Sequence, residues 1–376
     1  MANMFDYINW RGNIKFEQVG INEIDSLIFT ELAYLPYENL VSSPDIKKTI
    51  TISELSKKYF EIYDLDNYVG AIIPGKEISE LLYAVKDTKR YSGVKVWGYV
   101  NSIDIEKEKQ FSAICFDITE DETYVAYRGT DDTLVGWKEN LNMALFTPIP
   151  SQIDGVEYLN KIATKSHKKL YLGGHSKGGN LAIYSSLFAD KKVKDKVLFV
   201  HSFDGPGFKE EFIDSIENKD DFSKIKTFIP NASTVGMIFN IIGEQKIIAS
   251  SQKGLRQHDS FSWSLMADEF VVAEKLKKSS VELHDLLIKW VDKMSKEEVT
   301  DFIESLYKIS TSTDASTLTE INAEKRKFIF AILKMDSASR KSIVGAIHKL
   351  LKEKRKSNTE RRKIKKKTNR KQLPTE

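Results

Sequence analysis

Along residues 22–35, NEIDSLIFTELAYL, apolar Ile24, Leu27, Ile28, Leu32 and Leu35 recur at helical spacing. Asn22 is placed to cap the run and Pro36 to stop it, so the pattern predicts a helix. Two shorter helices are predicted near 52–61 and 77–88. The period then changes to that of strands. Segments near 94–104, 110–117 and 123–128 are rich in Val, Ile, Phe and Tyr and are divided by polar turns, which predicts an antiparallel meander. From 151 the pattern alternates: helix 151–165, strand 169–173, helix 177–189, strand 196–203, helix 208–217, then strands near 224–229 and 245–249. Such alternation implies a mostly parallel sheet with helices on its faces, an α/β fold with an antiparallel start.

After about 268 the pattern reads as helical throughout, in EFVVAEKLKK, VELHDLLIKWVDKM, KEEVTDFIESLYKI and KRKFIFAILKM, with a Ser/Thr-rich break at 310–318. The expected organisation is an α/β body at 1–267, a helical region at 268–351 and a basic tail at 352–376. The tail has too few apolar residues to pack and is expected to be disordered.

Charge sharpens this division. Residues 352–371 hold twelve Lys or Arg and two acids, a net +10; the whole chain carries +3, so the rest carries −7. The tail suits anionic lipid head groups or nucleic acid by charge, or serves only as a solubilising end; without an aromatic residue it suits nucleic acid less. No run of eighteen apolar residues exists, and MANMFDYINWRGN has no cationic start leading into an apolar run. A cytoplasmic location is expected, which agrees with a single cysteine, Cys115, in the apolar run FSAICF. That thiol reads as buried and structural rather than nucleophilic. CxxC and HExxH are missing, so neither a catalytic zinc nor another cofactor is expected.

Candidate chemistry centres on LYLGGHSKGGNLA at 170–182, where Gly174-His175-Ser176-Lys177-Gly178 fits G-x-S-x-G. A strand runs into Ser176 and a helix runs out. So sharp a turn strains the serine and lifts its hydroxyl above the sheet edge, while glycines two positions away let strand and helix approach. The following helix aims its first amides at a reacting oxygen. The plainer alternative is a glycine-rich turn that contains a serine. A serine hydroxyl needs a base. Of six histidines, His175 adjoins the serine and points away, His167 precedes the strand at the wrong end, and His201 sits inside an apolar strand. His284 and His348 fall in the C-terminal helices. His258, in Arg256-Gln-His-Asp-Ser-Phe-Ser-Trp263, lies in a polar loop after the last strand and is the expected base.

HSKGGNLA is similar to the HSLGGALA elbow of class 3 lipases, an α/β-hydrolase group. Tyr124-Val-Ala-Tyr-Arg128-Gly129-Thr130 resembles that group's strand ending in R-G-S/T, and Gly136-Trp137-Lys-Glu-Asn140-Leu141 stands at the place of its N-W-x-x-D-L. FDYINWRG, GINEIDSLIFTELAYLPYENLV, HSKGGNLA, SFDGPGF and QHDSFSW bring the chain nearer still to a bacterial family of class 3 lipase-like proteins of undefined substrate, over about residues 4–300. The resemblance implies an α/β-hydrolase fold, oxyanion donors at the Thr130 and Lys177 amides, and a lid-like segment at 131–146. That segment's Leu134, Trp137, Leu141 and Leu145 suit an acyl chain, or equally a helix packed on the sheet.

The lipases' aspartate position falls on Ser233, in Phe228-Ile-Pro-Asn-Ala-Ser233. A serine can hold a histidine tautomer but cannot stabilise imidazolium by charge. Asp204, ending the strand VLFVHSF at the carboxyl edge, is the substitute acid, against a reading as a helix cap or turn brace. Asp259 ranks below it, and a Ser–His dyad without an acid stays open. The expected function is a serine hydrolase acting on an acyl ester or lipid through Ser176, His258 and Asp204. The alternative is a hydrolase fold used as a scaffold or binding module.

Overall fold

A computed structural model describes residues 2–46, 48–63, 75–131, 133–143, 145–166, 168–311 and 336–371. Contacts divide the chain into two compact units, Met1–Ser280 and Val281–Glu376.

The first unit is built on an eight-stranded sheet whose spatial order follows the chain: β1 (Ile50–Thr51), β2 (Lys95–Asp104), β3 (Lys109–Asp117), β4 (Glu122–Tyr127), β5 (Lys169–His175), β6 (Val197–Phe203), β7 (Ile225–Pro230) and β8 (Glu244–Ile248). Strands β1 to β4 pair antiparallel, and β4 to β8 pair parallel. Both halves match the meander and the alternation expected from the sequence. The parallel register sets Tyr127 beside Gly174, His175 beside Phe203, and Phe203 beside Phe228. The carboxyl ends of β4, β5, β6 and β7 therefore open onto one edge, where ligand sites of such sheets form.

Two helical layers cover the sheet, an arrangement that makes the unit an α/β-hydrolase-like three-layer fold. On one face lie α1 (Met4–Arg11), α2 (Glu23–Leu32), α3 (Ile52–Ile62) and α4 (Gly75–Val85), packed on Ile114, Phe116, Tyr124 and Phe203. On the other, α6 (Pro150–Lys165) and α7 (Lys177–Phe188) pack on Ala113, Cys115, Val125 and Leu172. A strand's side chains alternate between faces, so neighbours such as Ile114 and Cys115 serve opposite layers. The short α5 (Leu134–Asn142) stands between β4 and α6. Cys115 is fully buried, with its sulfur 3.2 Å from the Tyr158 hydroxyl.

The motif text at the N-terminus is explained by caps and one buried charge. Asn22 accepts from the Asp25 amide at 3.0 Å while Asp25 accepts from the Asn22 amide at 3.0 Å, a reciprocal cap that starts α2. The Arg90 guanidinium grips Asp25 at 2.5 and 2.8 Å, and the Tyr7 and Tyr91 hydroxyls lie on the same carboxylate.

The chain departs from the sequence reading after residue 264. Leu265–Met266 and Glu269–Phe270 form a two-stranded ribbon, and helix begins only at Lys278. Ala249 donates to Val271 at 2.8 Å and Ala273 to Ile247 at 2.9 Å, so EFVVA runs extended. Phe270 is buried against Phe228 and Trp263 whereas Val272 is exposed. The apolar run that mimics a helix is an extended segment with one buried side, and the first unit accordingly reaches Ser280 rather than 267.

In the second unit, helices span Lys296–Thr311 and Ser337–Lys371. The latter carries most of the stretch where disorder is expected. Lys and Arg are good helix formers, so low hydrophobicity alone does not forbid a helix there. The helix expected at KRKFIFAILKM and most of the Ser/Thr-rich break lie outside the described residues, as do His167 and residues 372–376. Among the described residues no helix is long and apolar enough to cross a membrane.

Candidate active site

Strand β5 ends at His175, and α7 starts at Lys177. Ser176 joins them with φ 57° and ψ −131°, a positive-φ conformation that is a genuine strain for a serine. The turn is held by the Ser176 amide donating to Phe203 at 2.9 Å. Its glycines are sterically required. A Cβ on Gly174 would sit 2.2 Å from the Gly178 carbonyl carbon, and one on Gly178 would sit 2.1 Å from the Tyr127 oxygen.

Two other loops meet this turn. A Cβ on Gly129 would lie 3.2 Å from the Ser176 Cβ, which brings the Arg128-Gly129-Thr130 segment against the serine. A Cβ on Gly205 would lie 2.9 Å from the Ser176 carbonyl oxygen, so the Asp204-Gly205 turn does the same from β6.

Asp204 is fully buried, with φ 49°. Its Oδ2 accepts from His258 Nδ1 at 2.7 Å, and its Oδ1 accepts from the Ser233 hydroxyl at 2.5 Å and the Gly236 amide at 3.1 Å. An ionised carboxylate only accepts, so His258 carries a proton on Nδ1; in the neutral ring this tautomer has its lone pair on Nε2. Ser233, at the lipases' aspartate position, touches the carboxylate that touches the histidine. The adjacent ends of β6 and β7 deliver both groups to one point.

The loop bearing His258 is fixed by its own motif. Gln257 accepts from the Ala232 amide at 2.7 Å and donates to the Gln252 carbonyl at 2.8 Å. Trp263 Nε1 donates to the Gln257 carbonyl at 2.7 Å, and Asp259 caps the short turn that follows by accepting from the Phe261 amide at 3.0 Å. Desolvation raises the Asp259 carboxyl above its ordinary value.

His175 is fully buried and has a supporting place. Its Nε2 lies 2.8 Å from the His258 carbonyl oxygen and its ring 4.5 Å from the His258 ring. A carbonyl can only accept, so Nε2 donates, and Nδ1 takes the Tyr34 hydroxyl at 3.3 Å. Burial holds its pKa well below the ordinary histidine value, which keeps it neutral. Ser260 ties the loop to α2 by donating to Glu31 at 2.8 Å. His201 stacks on Phe199 at 4.0 Å, and burial pushes its pKa down to about 3. These supporting partners, Glu31, Tyr34 and Gln257, lie within the motif text GINEIDSLIFTELAYLPYENLV and QHDSFSW, but only the tertiary contacts identify what they support.

Thr130 and Lys177 both flank the serine. The Thr130 hydroxyl donates to Asn140 Oδ1 of α5 at 2.8 Å. The Lys177 side chain is neither solvated nor directed at a ligand. It is 1% exposed, and its ammonium donates to the Gln110 carbonyl at 2.6 Å, Gln110 Oε1 at 2.8 Å and Glu139 Oε2 at 2.7 Å. Burial lowers its pKa from the ordinary lysine value, and Glu139 opposes that shift. Among the described residues no group of three His, Cys, Asp or Glu is placed to hold a metal.

Comparison with known proteins adds a family. A family model described as Mbeg1-like matches residues 85–308, more than half of the chain. No curated protein matches. Among solved structures, the chain is similar to a Rhizomucor miehei lipase in a propeptide complex at 14% identity, covering 46% of this chain and 59% of that one, with a TM-score of 0.33. It is also similar to M37 lipase at 17% identity, covering 57% and 69% of the two chains, with a TM-score of 0.33. The chain thus spans under two thirds of the first of these.

Proposed function

The chain belongs to the Mbeg1-like family, and we propose that it works as a serine hydrolase that cleaves acyl esters. The observation that carries this reading is the His258–Asp204 hydrogen bond of 2.7 Å at the sheet edge where the strained Ser176 sits. Ser176 Oγ attacks the acyl carbonyl, and its proton passes to His258 Nε2. The oxyanion is received by the Thr130 and Lys177 amides, each worth about 3–4 kcal/mol in comparable sites. Collapse breaks the ester C–O bond, the Nε2 proton goes to the leaving alcohol, and an acyl-enzyme remains. Water, deprotonated by His258, attacks that acyl group and releases the carboxylic acid. Asp204 fixes the tautomer and balances the transient imidazolium, and the Ser233 and Gly236 donors hold its other oxygen.

The substrate is an acyl ester or lipid, and a cytoplasmic setting is part of the proposal. The basic end of the Ser337–Lys371 helix, with net +10 over 352–371, is proposed to contact anionic lipid rather than nucleic acid. The test is labelling of the full chain by a fluorophosphonate, beside Ser176→Ala and His258→Ala. Labelling lost in both variants supports the activated serine. A folded wild type that takes no label favours the scaffold reading.

A further inference from the structure

We propose that the buried Lys177–Glu139 pair is the positioning device of the oxyanion site, and that it makes α5 a fixed wall fitted to esters dissolved as monomers, not a lid opened by a lipid surface. This deepens the hydrolase reading and rests on it.

Lys177 contributes twice. Its amide is the proposed oxyanion donor, and its side chain runs away from the site into the protein. An ammonium has three N–H bonds, and all three are used, on Gln110 twice and on Glu139. Glu139 is fully buried and equally committed: Oε2 also accepts from the Gln110 amide at 3.1 Å, and Oε1 from the Ser151 amide at 2.9 Å. Ser151 lies in the first turn of α6, where the unpaired amides favour an anion. One carboxylate therefore joins β3, α5, α6 and α7 behind the nucleophile.

The rest of α5 is tied in the same manner. Asn140 takes the Thr130 hydroxyl, so consecutive residues of one helix brace both proposed oxyanion donors. Lys138 donates to Glu108 at 2.6 Å and Asn142 to the same carboxylate at 2.7 Å. At the entry, Asp131 accepts from the Thr133 amide at 3.0 Å and pairs with Arg128 at 3.2 Å. A lid that opens onto lipid must present an apolar inner face. Moving α5 would instead strand a lysine charge in the interior, an event far costlier than exposing leucines.

The test uses the full chain. Initial rates on a short-chain triglyceride are measured across its solubility limit, with p-nitrophenyl butyrate as the monomeric ester. The wild type is expected to saturate below the limit and show no jump on crossing it. In Lys177→Met/Glu139→Leu both charges go and volume is kept, and circular dichroism establishes that the variant is folded before rates are compared. Its kcat is expected to fall at least tenfold with KM within about threefold, and α5 amides to exchange hydrogen faster relative to β5. Glu139→Gln, which leaves the lysine charge buried without its counter-charge and turns an N–H toward the Ser151 amide, should lower kcat at least as far as the double variant. A rate jump at the limit in the wild type, or a folded double variant with wild-type kcat, overturns the proposal. Absence of Ser176-dependent labelling sinks the hydrolase reading instead; α5 exchange then still decides whether the helix is fixed, and unprotected α5 amides in the wild type sink the wall.

Discussion

Replacing Glu31 by Gln should change how stability depends on pH. Glu31 lies on α2, fully buried. Its Oε1 accepts from Ser260, and its Oε2 has no hydrogen-bond partner among the described residues. Burial pushes its carboxyl from 4.5 up to about 8, with Ser260 acting against the rise and Asp259 with it. Between those values the folded chain holds a proton that the unfolded chain has released. Stability is then fully present below 4.5 and is lost as pH rises through about 8. At 1.36 kcal/mol for each tenfold step in acidity, the loss is on the order of 5 kcal/mol. Gln copies the neutral acid, keeps an oxygen for Ser260 and does not titrate. Urea unfolding of both proteins at pH 5, 7 and 9 and constant ionic strength measures the difference. The expected outcome is near equality at pH 5 and a growing advantage for Glu31→Gln toward pH 9. A gap of the same size at pH 5 and pH 9 would refute the assignment of a buried, neutral carboxyl.

Asp204→Asn should leave the fold intact by circular dichroism and lower kcat about ten-thousand-fold, because the amide selects the wrong histidine tautomer. Ser233→Ala removes one donor from the Asp204 carboxylate; about 1 kcal/mol of lost support predicts a kcat roughly fivefold lower. Gly178→Ala places a methyl 2.1 Å from the Tyr127 carbonyl oxygen, and thermal unfolding should register a loss of about 3 kcal/mol. Ending the chain at residue 351 should abolish sedimentation with anionic vesicles at low salt and leave ester hydrolysis in solution unchanged; vesicle binding that survives truncation would reject the basic helix as the lipid contact.

The parts legible in the sequence are those written in local pattern. Asn22 before a run of period 3.6, and an apolar strand ending in Gly-x-Ser-x-Gly, need no tertiary knowledge. Lys177 shows the limit: at a helix start it reads as solvated, and only Glu139, thirty-eight positions back, makes it a buried charge. The 265–277 stretch fails for a related reason. Alternating burial over a few residues resembles one helical turn, and partners on Ile247 and Ala249 decide between them. Ser233 marks a third case. Position along the chain pairs it with the lipases' aspartate, but adjacent parallel strands end at one place, so a carboxylate from β6 and one from β7 can reach the same imidazole. Order in sequence and order in space separate there.

The N-terminal helices reach the candidate site. The family match begins at residue 85, after α1, α2 and α3. Yet Glu31 anchors Ser260, two residues from His258, and Tyr34 braces His175, whose ring underlies the His258 ring. The proposed base, His258, is oriented from two sides: Asp204 fixes its ring through Nδ1, and His175 holds its backbone carbonyl. The second support stands on α2 and the turn after it. A fragment cut to residues 85–308 would keep Ser176, Asp204 and His258 and lose the floor beneath them. Under the proposed hydrolase reading the functional unit is therefore the whole of Met1–Ser280, and the helices of its first thirty-four residues support the proposed base as the elbow supports the proposed nucleophile.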